Sequence, residues 1–358
     1  MTRSAKEALS ESQLALGERC ERMLASRAWQ HANVNYFGVE RRLELIVEAG
    51  LPPMTVVSAT TLEELGRIPR SNEGYQVDAL SALRAHGPGI VNGSKAVLVF
   101  YSHRWKRPMW CPGLNKDVPW GSEDFKSAKE LGYAVGDVDG PDHEKARALI
   151  EWSKWFKREQ AWFREGKIPS GALLGNTYGV PVDADMELYF WIDWPCVDQS
   201  NPSPSMAALP AYVAVCSVIS AAWSEEYSRR AWCRVELVMA HAFAVAGQKV
   251  FVIEEGFRDE RQKALKKEIV TLDDPADGAL TNDLDRPVIN SLTSVAISSR
   301  TFSCRVVCCT NSCVSWHFFC FWNLLCCCQC CGLCAWYQSR DVRPGHGTVV
   351  TKIAPAHQ

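Results

Sequence analysis

Unbroken apolar runs alternate with amphipathic stretches through the middle of the chain, and the two periods separate strands from helices. In KAVLVFYSHRW the run from Ala96 to Tyr101 has the length and β-branched content of a strand buried on both faces. MELYFWID, SVISAAWS and QKVFVIEEG repeat that signature downstream. Helical patterns fall between them. EKARALIEWSKWFKREQAWF opens on Asp142 as N-cap and sets an aromatic stripe opposite Lys and Arg; MAALPAYVAVC covers Met206 to Cys216; a third helix starts at Ser228 and ends at Gly247. Strands alternating with helices predict an α/β fold, a doubly wound parallel sheet with right-handed crossovers, over residues 93–300. A helix near DRPVINSLTSVA closes it, after the polar connection KALKKEIVTLDDPADGALTNDLD. Residues 1–92 predict a helical N-terminal extension: Ser4 to Trp29, VERRLELIVEAG closing on Gly50, TTLEELGRI with a Thr cap, and YQVDALSALRAHG ending at Gly87.

Ligands of doubly wound sheets bind beyond the carboxyl ends of the strands. That rule collects Ser102, His103, Arg104 and Trp105 after the first strand, Asp193 to Gln199 (with Trp194) after the second, and Trp223 to Tyr227 after the third. One residue breaks the apolar pattern nearby. The 100° helical step puts Trp232, Val235, Met239, Ala240 and Phe243 on one arc, and Glu236 falls near its middle. A carboxylate facing a core must be paired, protonated or lining a cavity. Arg229, Arg230 and His103 are the partners for an ion pair; the crevice is the alternative. Asp193 and Asp198 flank a Pro-Cys turn and read as caps or turn formers rather than metal ligands. The segment 106–142, rich in Pro, Gly, Trp and Asp, predicts an irregular excursion at the crevice, part of an insertion spanning about 106–180.

Composition removes several classes. The 358 residues carry a net charge of -2, with no basic surplus for nucleic acid. Walker, Gly-rich dinucleotide and zincin motifs are absent from the sequence, and no metal site is expected. The first thirty residues carry charges throughout and lack an apolar signal core, so the α/β domain is expected in the cytosol. Five of the 16 cysteines (Cys20, Cys111, Cys196, Cys216, Cys233) are scattered and read as reduced core residues; eleven crowd between Cys304 and Cys334. Within this 301–358 tail, residues 313–337 contain no charge and, at about 1.5 Å per residue, are long enough to cross a hydrocarbon core of ~30 Å. A membrane segment is the leading expectation. S-acylation of the cysteines, a zinc site built on Cys-x-x-Cys spacings, a disulfide framework and a translated non-coding segment stay open beside it, the last making the protein simply cytoplasmic.

The order of these motifs resembles the Toll/interleukin-1 receptor (TIR) domain, a flavodoxin-like fold. KAVLVFYSHRW resembles its first-strand box, FWID the strand before its mobile loop, KVFVI its last core strand, and SEEYSRRAWCRVEL its Ser, aromatic, Ser, Trp-Cys, Glu-Leu helix start. WIDWPCVDQ is also similar to a motif of fungal heterokaryon-incompatibility domains. In TIR domains that cleave NAD a glutamate on this helix is catalytic, and the matching position is Glu236. The resemblance therefore implies a signalling module that hydrolyses NAD as substrate, needing no cofactor, with Ser102, His103, Arg104, Trp105, Asp193, Trp194 and Trp232 around the substrate. It equally implies a non-catalytic scaffold that associates with itself or with other TIR-like domains, tethered to a membrane by the tail.

Overall fold

The computed structural model describes residues 11–32, 36–88, 94–164, 182–224, 226–243, 249–254, 264–271, 274–296 and 347–354. Helices α1 (Glu11–Leu24), α2 (Arg27–His31) and α3 (Tyr36–Glu48) precede strand β1 (Thr55–Ser58), helix α4 (Ala59–Leu65), strand β2 (Val77–Asp78) and helix α5 (Ala79–His86). Then follow β3 (Ser94–Ser102), the hairpin β4 (Trp110–Cys111) and β5 (Lys116–Asp117), α6 (Glu123–Glu130), α7 (Glu144–Arg164), β6 (Val182–Trp191), α8 (Asp193–Cys196) and α9 (Ser203–Val215). Strand β7 (Val218–Trp223), α10 (Ala231–Phe243), β8 (Lys249–Glu254), β9 (Ala264–Thr271), α11 (286–296) and β10 (Gly347–Ala354) complete the described chain.

Eight strands form one sheet in the order β2-β1-β6-β3-β7-β8-β10-β9. The contacts from β6 through β3, β7 and β8 to β10 are all parallel, while β1, β2 and β9 join antiparallel. Counted from β3, the parallel strands lie in the order 2-1-3-4-5. The expected doubly wound α/β sheet is present, and alternation along β3 shows why. Ala96, Leu98 and Phe100 enter the core under α1, α3, α5, α9 and α10; Val97, Val99 and Tyr101 enter the core under α4 and α7. A strand apolar at every position has two faces to bury. The chain passes from β3 to β6 through α7 on one face and returns through α9 and α10 on the other, so its direction reverses between β3 and β7.

Five local expectations change. The N-terminal region is not purely helical: β1 and β2 extend the main sheet, and Val56 and Val57 are fully buried on its opposite faces. Four residues are too few for a period to register, and Ser58 rather than a Thr caps α4, its Oγ 3.0 Å from Thr61 N. The first turn of α7 is capped from a distance by Asp139, whose two oxygens accept from Lys145 N and Ala146 N at 2.6 and 2.9 Å, rather than by Asp142. Ser228 lies in a 3-10 turn, Tyr227–Arg229, and α10 starts at Ala231 because Arg230 is extended. Part of the polar connection forms β9, paired along its whole length with β10; an edge position tolerates its Lys-Lys-Glu. That places residues 347–354 of the tail in the sheet, whereas the segment 313–337 lies outside the described residues. Among the described residues no helix is long and apolar enough to cross a membrane.

Candidate active site

The reversal between β3 and β7 is where a doubly wound sheet opens a crevice, because consecutive crossovers leave on opposite faces there. A cavity of about 450 Å³ occupies that position, walled by His103, Arg104, Trp105, Asp193, Trp232 and Glu236. These residues come from the ends of β3 and β6 and from the first turns of α10. Ser102 and Trp194 stand immediately behind them, both buried. The structure thus brings together Ser102, His103, Arg104, Trp105, Asp193, Trp194, Trp232 and Glu236, whereas among the other strand-end residues Asp198, Trp223 and Glu226 are not on the cavity wall.

Glu236 is the centre of this arrangement. Its Oε2 accepts a hydrogen bond from Oγ of Ser102, the last residue of β3, and Ser102 Oγ lies 2.5 Å from the Tyr227 hydroxyl. Among the described residues Glu236 takes part in no ion pair: Arg104 pairs with Glu226 at 2.6 Å, Arg230 bonds to Thr281 Oγ1, and His103 faces Asp193. The ion-pair expectation therefore gives way to the cavity wall. Burial pushes the Glu236 carboxyl up to about 8; the Ser102 hydrogen bond works against that rise and the charge on Asp193 adds to it.

Asp193 is the opposite case. Burial disfavours its charge, yet His103 Nε2 at 2.9 Å, Trp105 Nε1 at 2.7 Å and the nearby Lys145 hold it below the usual carboxylate range. It orients both an imidazole and an indole on the cavity wall. Trp105 meets Trp194 edge to face, centroids 4.8 Å apart, and lies so close to Gly136 (φ +107) that a Cβ there would come within 2.6 Å of the ring. Glycine is required at that point twice over, by backbone and by space. Asp198 accepts from Ser200 N and Oγ at 2.9 and 2.6 Å and is a turn former.

Sequence reasoning missed several participants. Lys145, almost fully buried, donates to the backbone oxygens of Arg104 and Val138 and stands 3.4 Å from His103 Nδ1; burial pushes it down to about 8. It clips both ends of the 106–142 excursion to α7. Asp285 was also overlooked, and Tyr227, although within the strand-end group 223–227, was given no role: burial holds the Asp285 carboxyl above its ordinary value, and its Oδ2 accepts from Trp232 Nε1 at 3.0 Å on the same cavity wall. Trp191 lines the cavity too, and its buried Nε1 has no hydrogen-bond partner among the described residues. Periodicity carries no signal for any of these, because their partners lie outside the local window, in most cases about 40 residues or more away along the chain. Burial pushes the Cys20 and Cys196 thiols up to about 12, which suits core residues. Among the described residues no group of three or more His, Cys, Asp or Glu side chains is placed to hold a metal ion.

Comparison with family models, with curated proteins and with solved structures found no match to this chain.

Proposed function

We propose that the chain is a flavodoxin-like, TIR-like signalling domain that hydrolyses NAD at the bond between nicotinamide and ribose, with Glu236 as its catalytic residue. One observation carries the reading: a carboxyl on the wall of a crevice at the strand-order reversal, held by Ser102 and, among the described residues, matched by no cation. As a carboxylate, Glu236 accepts hydrogen bonds from the ribose hydroxyls and offsets the positive charge that develops at the anomeric carbon as nicotinamide leaves with the bonding electron pair. Water then completes hydrolysis at that carbon. Trp105 and Trp232 supply aromatic surface for the base, and Asp193 keeps His103 and Trp105 in place. Arg104 reaches a substrate phosphate by exchanging it for the exposed Glu226.

The experiment is nicotinamide release from NAD by the full chain. Release is expected, and Glu236→Ala is expected to lower kcat/KM by about 10²-fold or more, the usual size for a preorganised electrostatic contact. Equal release by the variant, or none by either, overturns the reading. Because the active form is the carboxylate, kcat/KM rises with pH through the Glu236 value near 8.

The scaffold reading draws on a different observation. Trp120, Leu131 and Tyr133 expose large apolar surface on the excursion beside the cavity, as an association surface does. It predicts concentration-dependent self-association in sedimentation that Glu236→Ala leaves intact. Residues 313–337 complete either reading as a membrane tether for a cytosolic domain, and carbonate extraction of a fusion carrying residues 300–358 tests it: a soluble product removes the tether.

A further inference from the structure

Three side chains from three elements meet behind the cavity: Ser102 at the end of β3, Tyr227 in the turn after β7, and Glu236 on α10. The Tyr227 ring is fully buried in an apolar nest of Ala221, Cys233 and Leu237, which fixes its hydroxyl. Burial raises that phenol well above its ordinary value, so it keeps its proton. The direction of the chain then follows from counting hydrogens. An ionised Glu236 only accepts, so Ser102 must spend its single hydrogen on Oε2. Its bond to Tyr227 can then be made only by accepting, and the phenol must donate. Protonating Glu236 frees all three to reverse.

We propose that Tyr227 is a positioning residue for Glu236, which its phenol orients, through Ser102, with one carboxylate oxygen held back and the other left to the crevice. The proposal rests on the reading of Glu236 as the working carboxyl and adds how the fold sets its orientation and proton affinity. Asp193 from α8 opposes ionisation of Glu236, and Cys233 on α10 and the phenol are the other titratable groups packed against it. None of them donates a hydrogen bond to Glu236; among the described residues Ser102 alone does. Losing the phenol leaves the serine hydrogen free to turn away, which costs the carboxylate its donor.

The test needs no substrate. The full chain is labelled with ¹³Cδ-glutamate, the Glu236 signal is identified by its loss in Glu236→Gln, and its titration midpoint is followed by NMR. Tyr227→Phe, which keeps the ring in its nest, is expected to raise the midpoint by about half a unit to one unit, and Ser102→Ala by at least as much. The double variant is expected to rise no further than Ser102→Ala, since both act through one hydrogen bond. Ser102→Thr, which restores the hydroxyl, is expected to stay at the wild-type value. A midpoint unmoved in Tyr227→Phe, or shifts that add in the double variant, overturns the proposal. Replacing tyrosine by 3-fluorotyrosine offers a route without mutation: a stronger phenol donor should lower the midpoint, and no change counts against the chain. Absence of nicotinamide release alongside the expected shifts defeats only the hydrolase reading; release with an unmoved midpoint defeats only the role of Tyr227.

Discussion

Glu236 holds its proton in the native state over a range where a free carboxyl has lost it. Its native value of about 8 lies above the ordinary 4.5, so between those limits the folded chain binds a proton that the unfolded chain releases. The stability tied to that proton is fully present below about pH 4.5 and is lost as pH rises through 8. Glu236→Gln keeps the shape and removes the ionisation, so its melting temperature should exceed that of the wild type at pH 8.5 and converge with it near pH 4.5. A gap of the same size at both pH values would contradict the assignment of a raised carboxyl. Lys145 is depressed instead, from 10.5 to about 8, and contributes a trend of opposite sign above pH 8 that both proteins share. A carboxyl whose ionisation destabilises the fold above pH 8 is what the proposed catalytic role of Glu236 expects.

At the scale of elements, two contacts decide whether the crevice keeps its shape. Lys145 ties α7 to the backbone at Arg104 and Val138; Lys145→Met would remove the ammonium donor from both carbonyls and should cost about 1–3 kcal/mol in chemical denaturation. The second contact is between 3-10 segment Pro275–Asp277 and α10. Gly278 lies so near Ala231 that a Cβ would stand 2.4 Å from its Cα, and Ala279 exchanges backbone hydrogen bonds with Arg229 and Ala231. Gly278→Ala must push the start of α10 aside, with an expected loss of about 1–3 kcal/mol and a weaker site at Trp232 and Glu236. The strand ends carrying Ser102 and Asp193 were legible from the apolar runs that precede them. The clips were not, because a lysine in the first turn of a helix looks in sequence like any solvated charge, and a glycine shows its close neighbour only when the chain has folded back on itself.

For the whole molecule, the consequence concerns where the domain begins. Strand β1 pairs with β6 through Val57 and Ser58, and α1, α3 and α5 cover the face of the sheet that receives Leu98 and Phe100. A fragment starting at residue 93 would expose that face and the edge of β6. It is expected to aggregate on expression even in detergent, whereas the full chain is recovered monodisperse from detergent extract; a monodisperse, cooperatively melting 93–358 fragment would show the upstream region to be dispensable. The sequence by itself determined four of the five parallel strands, β3, β6, β7 and β8, the helices between them and the set of residues at their carboxyl ends. Each of these follows from local periodicity, which any window of ten or so residues displays. The tertiary structure decided what those residues face. Whether Glu236 met an arginine or a cavity, whether Tyr227 reached Ser102, and which carboxyl stayed ionised depend on distances between segments 90 to 134 positions apart, and on the burial that only the closed fold creates.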